Sequence, residues 1–92
     1  MSSFLDRLKE VTKSEGLTRE DLAEKIGVRY TRINNVMNGR GNIKSEEIEL
    51  IGKAFPNFKY WLVFGEELPE AGQISPMTKR TADDYQEQGK AG

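Results

Sequence analysis

Cysteine and histidine are both absent from the 92 residues. Without cysteine there is neither a disulfide framework nor a thiolate metal site. Without histidine the chain lacks the commonest general base and the commonest metal ligand, so only carboxylates remain for acid–base work. Long apolar runs are missing too. The longest, Tyr60 to Phe64, is far short of a membrane span. The N-terminal segment is polar and soon carries Asp6, unlike a secretory signal. Nothing resembles a nucleophile with its base, a nucleotide-binding glycine fingerprint or a cluster of metal ligands: Gly39-Arg40-Gly41 has no strand before it and Lys44 where a third glycine belongs. These absences point to a soluble cytoplasmic protein that is not an enzyme, with no catalytic residues, no cofactor, no metal and no membrane association.

What is present suits one small globular domain. The length allows a single core, and 36% hydrophobic with 32% charged residues is ordinary for such a domain. The net charge of −1 hides an uneven distribution. Residues 1–65 hold eleven Lys/Arg against nine Asp/Glu, whereas residues 66–92 hold three against six. Between Lys25 and Ser45 stand five basic residues, Lys25, Arg29, Arg32, Arg40 and Lys44, and no acid. A polyanion responds to that local field whatever the sum over the chain.

Apolar spacing predicts five helices. Phe4, Leu8 and Val11, with Leu5, form the buried face of the first, while Asp6, Arg7, Lys9 and Glu10 fill the other side and Gly16 ends it. Thr18 and Asp21 read as a capping box for a second helix that buries Leu22, Ala23 and Ile26 and stops at Gly27. Only Val28 separates that glycine from a third pattern. Ile33, Val36 and Met37 share one face of it; Thr31, Asn34, Asn35 and Asn38 share the opposite one. After a glycine-rich loop, Ser45 is placed to cap a fourth helix whose buried face is Ile48, Ile51 and Phe55. Pro56 breaks it, Asn57 caps again, and a fifth helix covers about Phe58 to Phe64. Residues 1–65 therefore read as the folded domain. Residues 66–92, rich in Glu, Gly, Pro, Gln and Thr, read as an acidic segment, flexible or draped over something.

Two short helices joined through a glycine bend make a helix-turn-helix, in which the second helix enters the major groove of DNA. Side chains that face base edges there should be polar and rich in donors and acceptors. Thr31, Asn34 and Asn35 fit, although Asn and Thr are poor helix formers, each costing up to about 0.7 kcal/mol relative to alanine. A stretch running from Leu17 to Phe55, LTREDLAEKIGVRYTRINNVMNGRGNIKSEEIELIGKAF, resembles the lambda-repressor-like (Cro/repressor, or XRE) helix-turn-helix family. Its signature is L-T-x-x-x-L-A-x-x-x-G-V followed by an apolar residue and Asn-Gly, and FPNFKYWLVFGEE is similar to the family's fifth helix. The likeness covers about residues 3–67.

The resemblance implies an all-α, compact five-helix DNA-binding domain with a flexible C-terminal tail, acting as a small dimeric transcriptional regulator, a Cro-like repressor. It implies that Arg29, Tyr30, Thr31, Asn34 and Asn35 face base edges or flanking phosphates, and that Thr18, Arg19, Asn38 and Arg40 hold the DNA backbone. Arg32 and Lys44 are either further backbone contacts or solvated charges, and Tyr30 either covers the end of helix 2 or stacks on the DNA. Two departures from the family stand out. Arg29 occupies a position where relatives place a capping Ser or Thr, and Thr12 and Met37 replace both partners of a buried Arg–Glu pair.

The fifth helix is apolar nearly all round, with Lys59 the single polar residue from Phe58 to Phe64. Phe58, Trp61, Leu62 and Phe64 are therefore expected to provide a homodimer interface suited to a pseudo-palindromic duplex operator, unless the tail folds back over this face. An alternative function is an antitoxin that binds DNA through the same helices and a protein partner through Leu68, Ile74 and Met77 of its tail. A pure protein-interaction domain is a third reading, disfavoured by the acid-free stretch.

Overall fold

A computed structural model describes residues 2–82. Their elements are α1 (Phe4–Ser14), α2 (Arg19–Ile26), α3 (Tyr30–Met37), α4 (Ser45–Ala54) and α5 (Lys59–Phe64), then a short 3-10 helix at Pro69–Ala71 and a last helical stretch over 76–82. Among the described residues no strand forms, and the one β-type pairing is an isolated antiparallel bridge between Leu68 and Gln73. The expected all-α, five-helix plan is the observed one.

Local chemistry sets the first helix boundaries. The Ser3 hydroxyl accepts from the Asp6 N–H at 3.1 Å, and the Asp6 carboxylate accepts from the Ser3 N–H at 3.2 Å. Thr18 and Asp21 repeat this reciprocal arrangement at α2, at 3.0 and 2.9 Å. Each pair satisfies two donors that a helix start otherwise leaves unbonded. Those backbone N–H bonds, followed by the hydroxyls, hold both aspartates below the usual carboxylate range. α2 ends at Gly27, whose φ of 74° is the left-handed conformation glycine adopts without a side-chain penalty.

The later boundaries differ from the sequence expectation. Ser45 is the first residue of α4, not its cap; Lys44 takes the cap position, and its N–H donates to the Glu47 carboxylate at 2.8 Å. Asn57 does not cap α5 either. Phe58 holds that position without a side-chain bond, while the Asn57 carbonyl accepts from the Ile74 N–H at 3.0 Å. The first-turn donors are served elsewhere: the Glu47 N–H donates to the Lys44 carbonyl at 3.0 Å and the Tyr60 N–H to Gln73 Oε1 at 3.0 Å.

One core unites the helices: Leu8 and Val11 of α1, Leu22, Ala23 and Ile26 of α2, Ile33 and Met37 of α3, Ile51 of α4 and Leu62 of α5, with Phe55 and Phe58 between the last two helices. Each large side chain contributes about 1.5–3 kcal/mol of burial. Ile48, expected inside, is only half-buried because it lies at the rim of the α4–α5 surface. Thr12 and Met37 are both buried, and the Thr12 hydroxyl donates to the Lys9 carbonyl at 2.9 Å. The missing ion pair therefore leaves no unpaired polar group at these two positions.

Arg7 departs most from the expected polar face of α1. It is buried, its Nε donating to the Leu62 carbonyl at 2.7 Å and its Nη2 to the Val63 carbonyl at 3.2 Å. Nη1 bonds both the carbonyl and the hydroxyl of Ser2. A guanidinium thus caps the C-terminal end of α5, where unbonded carbonyls and the helix dipole favour a cation.

The fold also continues past residue 65, where the first part of the segment expected to be flexible or draped over something lies against the domain. Ile74 packs against the core, and Ser75 and Pro76 are buried. Gln73 ties the α4–α5 corner, accepting from the Tyr60 N–H at 3.0 Å and donating to the Pro56 carbonyl at 2.8 Å. Lys79 pairs with Glu15 at 3.1 Å and lies 5.7 Å from the Phe58 ring centroid. Few apolar residues suffice here because the domain supplies the surface they cover. Tyr85 lies outside the described residues.

Candidate nucleic-acid interface

α2 and α3 pack closely across the bend Gly27–Val28–Arg29. The N–H groups of Gly27 and Val28 both donate to the Ala23 carbonyl, at 2.9 and 3.0 Å, which closes the bend tightly. Arg29 makes no side-chain cap, yet its backbone is extended (φ −61°, ψ 141°) and its carbonyl accepts from the Ile33 N–H at 3.1 Å. The helix therefore begins at Tyr30 without a capping side chain. Burial of Ile33, Val36 and Met37 fixes which face of α3 is turned outward.

That outward face carries Tyr30, Thr31 and Asn35, all exposed, with Asn34 half-buried and Asn38 exposed at its end. Tyr30 is 45% exposed. Arg19, in the first turn of α2, reaches across to this face. Its Nη1 donates to Asn34 Oδ1 at 2.6 Å and to Asn38 Oδ1 at 2.9 Å. The three residues thus form one polar cluster with a guanidinium held between two neutral amides. Asn34 and Asn35, neighbours on the polar face, differ here: the Asn34 oxygen has a donor from its own chain. Thr18 beside them is engaged in its capping box.

On the other flank, Asn38 leads into the loop of Gly39, Arg40 and Gly41. Both glycines are left-handed, and the Arg40 N–H donates to the Asn35 carbonyl at 2.8 Å. Arg40 and Lys44 are exposed. Arg32 is not a free cation: it forms a two-pronged pair with Glu47, at 2.7 and 2.8 Å, and its Nη2 also donates to the Asn42 carbonyl at 2.6 Å. That Arg32 bond, then the Lys44 N–H, hold the Glu47 carboxyl at a pKa of about 2 against burial, which acts the other way. Sequence reasoning missed this pair because its partners stand fifteen positions apart and belong to different helices. It missed Arg7 as well, although Arg7 stands four residues before Val11 and so borders the apolar stripe.

The residues expected at a dimer interface divide. Phe58 (3% exposed) and Leu62 (0%) belong to the domain's own core, and Trp61 packs against it, so the first two are not available to a second chain. Phe64 is 64% exposed and Val63 44%. Together with Ile48, Gly52 and Tyr60 they line an open apolar groove of about 660 Å³ between α4 and α5. Tyr60 and Phe64 stack at a tilt, 4.9 Å between centroids.

Among the described residues, no three His, Cys, Asp or Glu side chains are grouped to hold a metal ion, and no helix is long and apolar enough to cross a membrane. A family model described as Helix-turn-helix matches residues 8–57. Among solved structures, the chain is similar to Pf6r from the filamentous phage Pf6 of Pseudomonas aeruginosa PA01. The TM-score is 0.72 with 26% sequence identity, over 91% of this chain and 98% of that one. No curated protein matches the sequence. With two helices set across a glycine bend and a polar, acid-free face on the second, the chain belongs to the lambda-repressor-like (Cro/repressor, XRE) helix-turn-helix family and is a DNA-binding transcriptional regulator.

Proposed function

We propose that the protein binds a pseudo-palindromic duplex operator as a homodimer, with α3 of each protomer in a major groove, and that it represses transcription in the manner of Cro. The observation that carries this reading is the outward face of α3: Tyr30, Thr31 and Asn35 are exposed between two flanks that carry Arg19 on one side and Arg40 on the other. In this reading Arg29, Tyr30, Thr31 and Asn35 meet base edges. Thr18, Arg19, Asn38, Arg40 and Lys44 meet phosphates and set the register. Asn34 orients Arg19 and meets a base only through its free amide N–H groups.

The dimer uses the exposed rim of the α4–α5 groove, centred on Val63 and Phe64. Two-fold symmetry then places two copies of α3 about 34 Å apart, one turn of duplex. A toxin-binding tail has less support, because Ile74 is occupied by the domain's own core, although Met77 remains 64% exposed.

Duplex affinity measured against salt tests the reading. Six to ten phosphate contacts give a log–log slope of roughly −5 to −9. Arg40→Ala should weaken binding to all sequences alike and flatten the slope by about one. A wild-type slope near zero would sink the proposal.

A further inference from the structure

The loop from Asn38 to Lys44 has little backbone bonding of its own. The N–H groups of Asn38, Gly39 and Arg40 return to carbonyls of α3, but among the described residues nothing accepts from those of Gly41, Asn42 or Ile43. One side-chain pair takes over. Arg32 of α3 holds the Asn42 carbonyl while gripping Glu47 of α4 with two bonds, and Glu47 in turn accepts from the Lys44 N–H. Gly41 lies so close that a Cβ there would meet Arg32 Nη1 at 3.3 Å. The side chains of Arg32 and Glu47 are 27% and 13% exposed. A bidentate pair this sheltered is screened less by salt than a surface ion pair.

We infer that the Arg32–Glu47 pair is a positioning device that shapes this loop to present Arg40 and Lys44 to the DNA backbone. Arg32 acts through the loop and does not itself touch phosphate. The inference rests on the DNA-binding reading above. Charge alone gives the opposite expectation for Glu47: removing an acid beside a polyanion-binding face should tighten binding. The clamp makes its removal harmful, because an unpinned loop must be ordered at the moment of binding.

The test uses the whole chain and a mixed-sequence duplex, titrated over a range of salt, since phosphate contacts do not depend on sequence. Glu47→Ala should weaken binding about fivefold or more although it removes a negative charge, and Glu47→Gln about twofold, as residues of one network couple at this level. In an Arg40→Ala background both losses should shrink, and with Lys44→Ala added they should fall to near nothing. Thermal melts confirm that each variant is folded at the assay temperature, and Glu47→Gln, which keeps the side chain's size, carries the test if the alanine variant is not. Amide exchange at Lys44 should speed up in the free Glu47→Ala protein. Unchanged or tighter binding by both Glu47 variants overturns the inference, as does a loss of equal size with and without Arg40. A slope flattened by about one in Arg32→Met also overturns it, by making Arg32 a phosphate contact. If the wild type shows no salt-dependent binding at all, the DNA-binding reading fails first and takes this role with it.

Discussion

Arg19 Nη1 donates to Asn34 Oδ1 at 2.6 Å, joining the first turn of α2 to the outward face of α3. The bond gives different surroundings to two asparagines that share the polar face of α3. Asn34 has an acceptor already engaged, whereas Asn35 is exposed beside it.

Asn35→Ala is therefore expected to lose about 1–3 kcal/mol of discrimination on the preferred site, the value of one amide paired in two places with adenine. Binding to random duplex should stay nearly unchanged. Asn34→Ala should weaken both by a similar factor, because it releases Arg19. Competition titrations with specific and random duplexes measure the difference. Equal losses for Asn35→Ala on both would move base contact to Arg29, Tyr30 and Thr31.

Arg7→Ala should destabilise the fold by about 2–4 kcal/mol, because it strips a charged donor from buried carbonyls and leaves a void. In urea the midpoint should fall with little change in slope. Arg7→Lys should recover only part of the loss, since one ammonium cannot reproduce the fork that spans Leu62, Val63 and Ser2. A fully stable Arg7→Ala protein would refute the capping role.

Acid should loosen the clamp between α3 and α4. Glu47 titrates at about 2 in the folded chain against an ordinary 4.5, so folding favours its charged form. The stabilisation is complete above about pH 4.5 and is lost as pH falls from there through 2. Asp6 and Asp21, also lowered, act in the same direction. Melting temperatures of wild type and Glu47→Gln should thus lie furthest apart near neutrality and converge toward pH 2. A Glu47 carboxyl titrating near 4.5 by NMR would contradict this.

Phe64→Glu should convert the proposed dimer to monomer at little cost to the fold, because the side chain is 64% exposed and a charge there meets water. Sedimentation equilibrium and a melt, read together, check both halves. Leu62→Glu should instead unfold the protein, since that position is fully buried.

Ending the chain at Gly65 should lower the melting temperature by several degrees, roughly the effect of losing 1 kcal/mol or more in a domain this small. Such a chain gives up Ile74, Pro76 and the Gln73 bonds to Pro56 and Tyr60. An unaltered melt would show residues 66–82 to be dispensable for stability.

The sequence by itself determined the five helices, the turn at Gly27 and the face that α3 turns outward. These follow from interactions within one or two turns: the Ser3–Asp6 and Thr18–Asp21 boxes, the glycine at positive φ, and the spacing of Ile33, Val36 and Met37. Tertiary structure alone decided the rest. Arg7 went inside because α5 ends beside it, Arg32 turned to Glu47 because α4 starts across the loop, and Phe58 and Leu62 joined the core, leaving Phe64 outside. Residues 66–82 folded because Phe58 and the α4–α5 corner offered them a surface. Such choices depend on which helix lies opposite a side chain. Periodicity fixes the direction in which a residue points along its own helix, and it is silent about what waits there.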